Sequence, residues 1–157
     1  VMLFQAVTMF FEEMGWPFDA VEGQQGVLQT GYEGANGVFV CFCHCREDAQ
    51  QIIFYVVAEE RCPEAYLQAM AEVLTRANFG MLIGNFELDY SDGEVRYKTS
   101  LDLEDAGMSP ALLRNLVVAA STTFDRYYTG FQSVASGALG AIEAIVQVET
   151  HVVQGEA

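Results

Sequence analysis

Three of the four cysteines, Cys41, Cys43 and Cys45, alternate along one apolar run, and the fourth is Cys62. Clustered thiolates are the raw material of metal ligation and of disulfide exchange. On a strand, however, alternate residues share a face about 7 Å apart, too far for an unstrained bridge between neighbours. A metal would also need a further ligand. His44 falls on the opposite face of such a strand, and His151 is far along the chain. Buried apolar thiols in a reducing cytosol are the simpler expectation; a redox or metal-responsive sensor on Cys41, Cys43 and Cys45 is the alternative.

Carboxylates recur close together at Glu12/Glu13, Glu59/Glu60 and Asp102/Glu104/Asp105. General acid–base work needs two such groups aimed into one pocket, and sequence neighbours on a helix or loop do not supply that. The run from Asp89 to Glu94 has the look of a calcium loop. Aligning Gly93 with the loop's sixth position puts Leu88 first and Tyr90 third, where carboxylates are required. A charged hairpin end is the better reading. Cys43 and His44 are not a nucleophile–base pair, because strand neighbours face opposite ways. The glycines at 23, 26, 31, 34 and 37 match no phosphate-binding spacing and serve as turns and bulges. No catalytic residue, cofactor or metal is therefore expected.

Composition narrows the field further. The chain has 157 residues, 22 Asp+Glu against 7 Lys+Arg, and a formal net charge of −15. Nucleic acid and anionic membrane surfaces are both excluded as partners, since each needs clustered cations. A hydrophobic fraction of 52% suits one folded domain with a substantial core. The longest uncharged run, Tyr127 to Ile142, is interrupted by glycines and polar residues and is too short for a membrane span. The amphipathic N-terminus carries Glu12 and Glu13 and is unlike a signal peptide. A chain numbered from Val1 rather than Met is expected to be a fragment.

These residues must be positioned by regular elements. Leu3, Phe4, Val7, Phe10, Phe11 and Met14 line one face of a helix, which Gly15 and Pro17 end. Strands follow at Val27 to Tyr32, Val38 to Cys45 and Ile52 to Val57, with Asn36-Gly37 as a hairpin signal between the first two. The third is apolar on both faces, which predicts a central strand covered on both sides. Pro63 opens a second amphipathic helix carrying Tyr66, Leu67, Met70, Val73, Leu74 and Ala77. Met81 to Leu101 reads as a hairpin turning at Asp92-Gly93. That register places Tyr90 opposite Val95, Leu88 opposite Tyr97, Phe86 opposite Thr99, Asp89 opposite Arg96 and Glu87 opposite Lys98. Ser109-Pro110 then caps a long helix expected to break or bend at Thr129-Gly130 and at the glycines 137 and 140. Ile142, Ile145, Val146, Val152 and Val153 form a short C-terminal helix. The predicted fold is α+β, an antiparallel sheet of about five strands with helices packed on it, in the order α-β-β-β-α-β-β-α plus a helical tail. One domain spans 1–140 and the tail 141–157.

Several uncommon choices coincide in order: Asn78-Phe79-Gly80 ending a helix, a Gly84-Asn85-Phe86 strand entering an Asp92-Gly93 turn, and an Arg96-Tyr97 strand leaving it. They are followed by Ser109-Pro110-Ala111-Leu112-Leu113 and by Thr122-Thr123-Phe124-Asp125-Arg126-Tyr127-Tyr128. Together these stretches resemble the YbjN family, and its cyanobacterial branch most. In detail the resemblance covers about residues 60 to 130; the cysteine strand is no part of it. The resemblance implies a cytoplasmic, non-enzymatic protein, loosely described as a sensory transduction regulator. It also implies a fold similar to type III secretion chaperones, usually homodimeric, binding an extended polypeptide client along sheet edges and apolar grooves. A protein-binding domain, chaperone-like or regulatory, is the resulting functional expectation, and the partner-binding residues stay unassigned.

Overall fold

The computed structural model describes residues 2–155, with side chains described as far as Thr150. Helix α1 (Leu3–Glu13) leads into strands β1 (Phe18–Ala20), β2 (Val27–Glu33), β3 (Val38–Arg46) and β4 (Gln51–Val57). Helix α2 (Leu67–Asn78), strands β5 (Asn85–Leu88) and β6 (Val95–Asp102), and helices α3 (Pro110–Ala135) and α4 (Ala141–Gly155) complete the chain. The strands form one antiparallel sheet in the order β1-β2-β3-β4-β6-β5. The α+β class and the element order agree with the sequence reading; the sheet has six strands rather than about five. The extra strand is β1, whose three residues pair with β2 through Phe18 opposite Thr30. Three residues are too few for an alternation to register.

Alternate residues of the central strands form the core: Phe39, Cys41, Cys43 and Cys45 on β3, Ile52, Phe54 and Val56 on β4, and Val95 and Tyr97 on β6. Over them α3 lays Phe124, Tyr128 and Phe131, a helical stripe whose rings meet Phe39 and Phe86 at centroid distances of 4.8–4.9 Å. Edge-to-face packing at this distance adds to the gain from burial alone. Ser109 caps α3 as its position before Pro110 requires, its Oγ accepting from the Leu112 N–H at 3.2 Å. Helix α1 has no side-chain cap of its own. Its Leu3 and Phe4 N–H groups donate instead to the Glu47 carboxylate from the β3–β4 turn, at 3.0 and 2.7 Å.

Four sequence expectations are corrected. Helix α3 does not break at Thr129-Gly130 but runs on to Ala135. Gly130 is there because α4 crosses at that point: a β-carbon on it would lie 2.6 Å from Val148 Cγ2. The β5–β6 hairpin is shifted by two residues, with Phe86 opposite Tyr97, Glu87 opposite Arg96 and Leu88 opposite Val95. The turn is longer than Asp92-Gly93, because Asp89 Oδ1 accepts from the Ser91 N–H and hydroxyl while Asp92 Oδ1 accepts from the Glu94 N–H. Asp89 is thereby lost as a partner for Arg96. Pro63 leads first into a single 3₁₀ turn, Glu64–Tyr66, before α2 begins. Finally, β4 is not covered on both sides: Val40, Phe42, Ile53, Tyr55 and Val57 lie on the face away from the helices and stay half-buried.

Helix α4 packs against α2 and α3, with Ala141, Ala144, Ile145 and Val148 buried. The side chains of His151, Val152 and Val153 lie outside the described residues.

Candidate partner-binding surfaces

The cysteines are buried, on the helix side of the sheet for Cys41, Cys43 and Cys45 and in the β4–α2 connection for Cys62. Burial pushes the Cys41 thiol up to about 12. The neighbouring Cys45 sulfur, and then burial, push Cys43 well above its ordinary value, and burial raises Cys62 as well. All three shifts favour the neutral thiol over the thiolate that ligation or exchange requires. Among the described residues, no three His, Cys, Asp or Glu side chains converge as a metal centre. The paired carboxylates stay apart: Glu12, Glu13, Glu59, Glu60, Asp102, Glu104 and Asp105 are all exposed and do not line one cleft together.

A cleft of about 580 Å³ lies between the Ala58–Pro63 connection and the C-terminal half of α3. Met70, Tyr128 and Phe131 line it together with Gln132, Ser133 and Ser136. Its one cation, Arg61, is already paired with Glu94 and with Asp92 at 3.5 Å. That arrangement has no acid–base couple for chemistry.

The apolar surface is more distinctive. Phe79, Leu82 and Ile83, in the loop between α2 and β5, are 92%, 97% and 57% exposed. Water-facing side chains of this size, adjacent to one another, mark interaction sites. The loop stands between two clefts that share Ile83. One, of about 430 Å³, is lined by Met81, Tyr97, Thr123, Arg126, Tyr127 and Glu149. The other, also about 430 Å³, is lined by Asn85, Lys98 to Leu101, Leu112, Asn115 and Leu116. The Tyr97 hydroxyl donates to the Ile83 carbonyl and ties the loop to the sheet. Strand β5 pairs with β6 only as far as Lys98, so β6 from Thr99 to Asp102 has no strand beside it on that edge. Thr99 is among the residues of the second cleft; its Oγ1 is buried and has no hydrogen-bond partner.

The YbjN family model, described as "Putative bacterial sensory transduction regulator", matches residues 4–133. The chain belongs to the YbjN family. Among solved structures it is similar to that of YbjN from E. coli, called "a putative transcription regulator", at 14% identity with a TM-score of 0.61 and 96% of each chain covered. At that identity the likeness is one of fold. No curated protein matches the chain.

Two residues inside the motifs that carried the resemblance have clear structural work in this YbjN domain. Asn78, the last residue of α2, uses its side-chain amide like a missing strand. Its Oδ1 accepts from the Phe86 N–H at 2.7 Å, and its Nδ2 donates to the Phe86 carbonyl at 3.0 Å. The outer edge of β5 is thus occupied at Phe86. Asp125, on α3, is buried, and its carboxylate accepts from the Ala35 and Asn36 N–H groups at 3.0 and 2.8 Å. Asn36 Nδ2 donates in return to the Asp125 carbonyl at 3.0 Å. Gly34 lies so close to this carboxylate that a β-carbon would collide with it. The hairpin turn is therefore closed by its own Gly34 N–H bond to the Gly37 carbonyl at 2.8 Å and fastened by α3 besides. Sequence reasoning assigned Asp125 no role, yet a signal was present: a carboxylate between Phe124 and Tyr128 on an apolar helix stripe.

Glu87 makes the ion pair expected with Lys98, at 3.0 Å from its Nζ, and takes Arg96 as well, at 2.9 Å from its Nε, in place of Asp89. Burial by itself would raise its pKa, but the bonds from Lys98 and Arg96 outweigh burial and hold it below the usual carboxylate range.

Proposed function

We propose that this YbjN domain is a non-enzymatic protein-binding module, regulatory or chaperone-like, that holds an extended segment of another polypeptide. The observation that carries the reading is the exposed Phe79–Ile83 loop standing between two clefts, beside a stretch of β6 with no strand on that edge. An extended segment laid there gains backbone hydrogen bonds from the edge and apolar burial against Leu82, Leu112 and Leu116. The likeness to type III secretion chaperones, a cytoplasmic location and a bacterial regulatory role belong to the same reading. The family's description as a sensory transduction regulator supports a non-catalytic task.

The test is capture from a native lysate by the wild-type chain and by the double variant Phe79→Ser/Leu82→Ser, with bound polypeptides identified by mass spectrometry. A polypeptide retained by wild type and lost from the folded variant is the expected result. Equal capture by both proteins, or no specific polypeptide at all, overturns the reading.

A further inference from the structure

The cleft between the Ala58–Pro63 connection and the end of α3 has two kinds of wall. Its floor is apolar: Cys62, Met70, Val95 and Phe131 line it and are each at most 5% exposed. Tyr128, also buried, stands beside them. Its rim is negative, and Glu60 belongs to it. Burial, and then the Glu60 charge, hold the Tyr128 hydroxyl above its ordinary pKa against the opposing bond with Gln132, and Glu59 adds to the rise. Both carboxylates therefore lie within Coulombic reach of the cleft. Gln132, Ser133 and Ser136 bring the carboxyl end of α3 to the same rim. That 26-residue helix has no basic residue in its last turn to offset the partial negative charge of its end.

We infer that this cleft binds a small organic cation, an amine carried on an apolar body. Charge selects the ligand. Among the described residues, no Lys or Arg forms an ion pair with Glu59 or Glu60. The cleft's own cation, Arg61, is engaged by Asp92 and Glu94 of the β5–β6 turn. A ligand anion would have to break those pairs while facing Glu60. A cation instead completes the site: its ammonium is attracted by Glu60, by the carboxyl end of α3 and by the rings of Tyr128 and Phe131. The apolar body is required as well, because a floor of Cys62, Met70, Val95 and Phe131 gains only from contact with apolar surface. A bare metal ion gains nothing from such a floor. Size also fits, since about 580 Å³ with an apolar lining and a few polar groups is the usual form of a small-ligand site. The inference is independent of the client-binding reading, because this cleft shares no lining residue with either cleft beside Ile83.

Amide chemical shifts of the isotope-labelled full chain test it, with phenylbutylamine as the cation, phenylbutanol as its neutral analogue and phenylbutanoate as the anion. The amine is expected to move the amides of Ala58–Cys62 and Tyr128–Ser136 saturably, with one ligand bound per chain. Phenylbutanol is expected to bind at the same amides about tenfold more weakly, and phenylbutanoate more weakly still. Glu60→Gln is expected to weaken the amine about tenfold and to leave phenylbutanol unchanged. Glu12→Gln, which removes a charge on α1, leaves both unchanged. Gln132→Trp, which fills the mouth of the cleft from an exposed helix position, abolishes binding of all three. Should Gln132→Trp not fold, the wild-type shift map and Glu60→Gln decide. No saturable shift at those amides, shifts spread over the whole acidic surface, equal binding of the three probes, or unchanged amine binding by Glu60→Gln would each overturn the inference. The folded Phe79→Ser/Leu82→Ser variant is expected to keep amine binding, so failure of the client reading and failure of this site are read separately.

Discussion

Asp125 fastens the longest helix to the β2–β3 turn with a buried carboxylate on two backbone N–H groups. Removing the charged acceptor leaves both donors without a partner, and Asp125→Ala is expected to cost about 2–3 kcal/mol in urea unfolding. The thiols have the opposite character. Cys41, raised to about 12, contributes stability that is complete below its unfolded value of 9.0 and is lost as pH rises towards the folded one. Unfolding at pH 8 and pH 10 is expected to show the decline, weaker in Cys41→Ala. At pH 8 a maleimide reagent is expected to label the cysteines only as fast as the protein opens; rapid native labelling would instead favour the redox alternative. The sequence carried the cysteines' shared face, since strand alternation dictates it. It did not carry the purpose of Asp125, because the Ala35 and Asn36 donors are about ninety residues away along the chain.

The elements illustrate a different limit. The β5–β6 hairpin was legible in its faces but not in its register. A shift of two residues leaves every side chain on the same face, so the apolar alternation cannot choose between the two pairings. The choice fell to the turn, where Asp89 and Asp92 spend their carboxylates on local N–H groups. Likewise β4 was legible as a central strand, while the idea that helices cover both its faces was wrong. An apolar face looks the same in sequence whether its cover is a helix or another molecule. Gly130 was misread as a helix breaker because glycine costs about 1 kcal/mol relative to alanine in a helix interior, and the neighbour that repays that cost is on α4. Gly130→Ala is therefore expected to destabilise the protein despite its gain in propensity. Combining it with Val148→Ala is expected to return part of the loss, as a thermal double-mutant cycle would show. Simple stabilisation by Gly130→Ala would mean that the helices separate readily there.

At the level of the whole molecule, charge and apolar surface are segregated: acidic groups crowd the helix side and the loops, while the open sheet face balances its own. The overall class and order of elements were legible because each helix and most strands carry their own periodicity. The proposed client surface was not, because it is assembled from the α2–β5 loop, an incomplete strand ladder and α3, none of which announces the others.

The far edge of the sheet offers a different handle. Trp16, the single tryptophan, donates its indole N–H to the Gly31 carbonyl at 2.6 Å and packs against Phe11 and Tyr32. This residue closes the β2 edge where β1 stops, and it is also the chain's one indole fluorophore. Its emission reports on the integrity of that hem, several strands away from the α2–β5 loop. A red shift on mild heating that precedes loss of ellipticity would reveal the sheet unravelling from this side first, in unmodified protein and without an added dye.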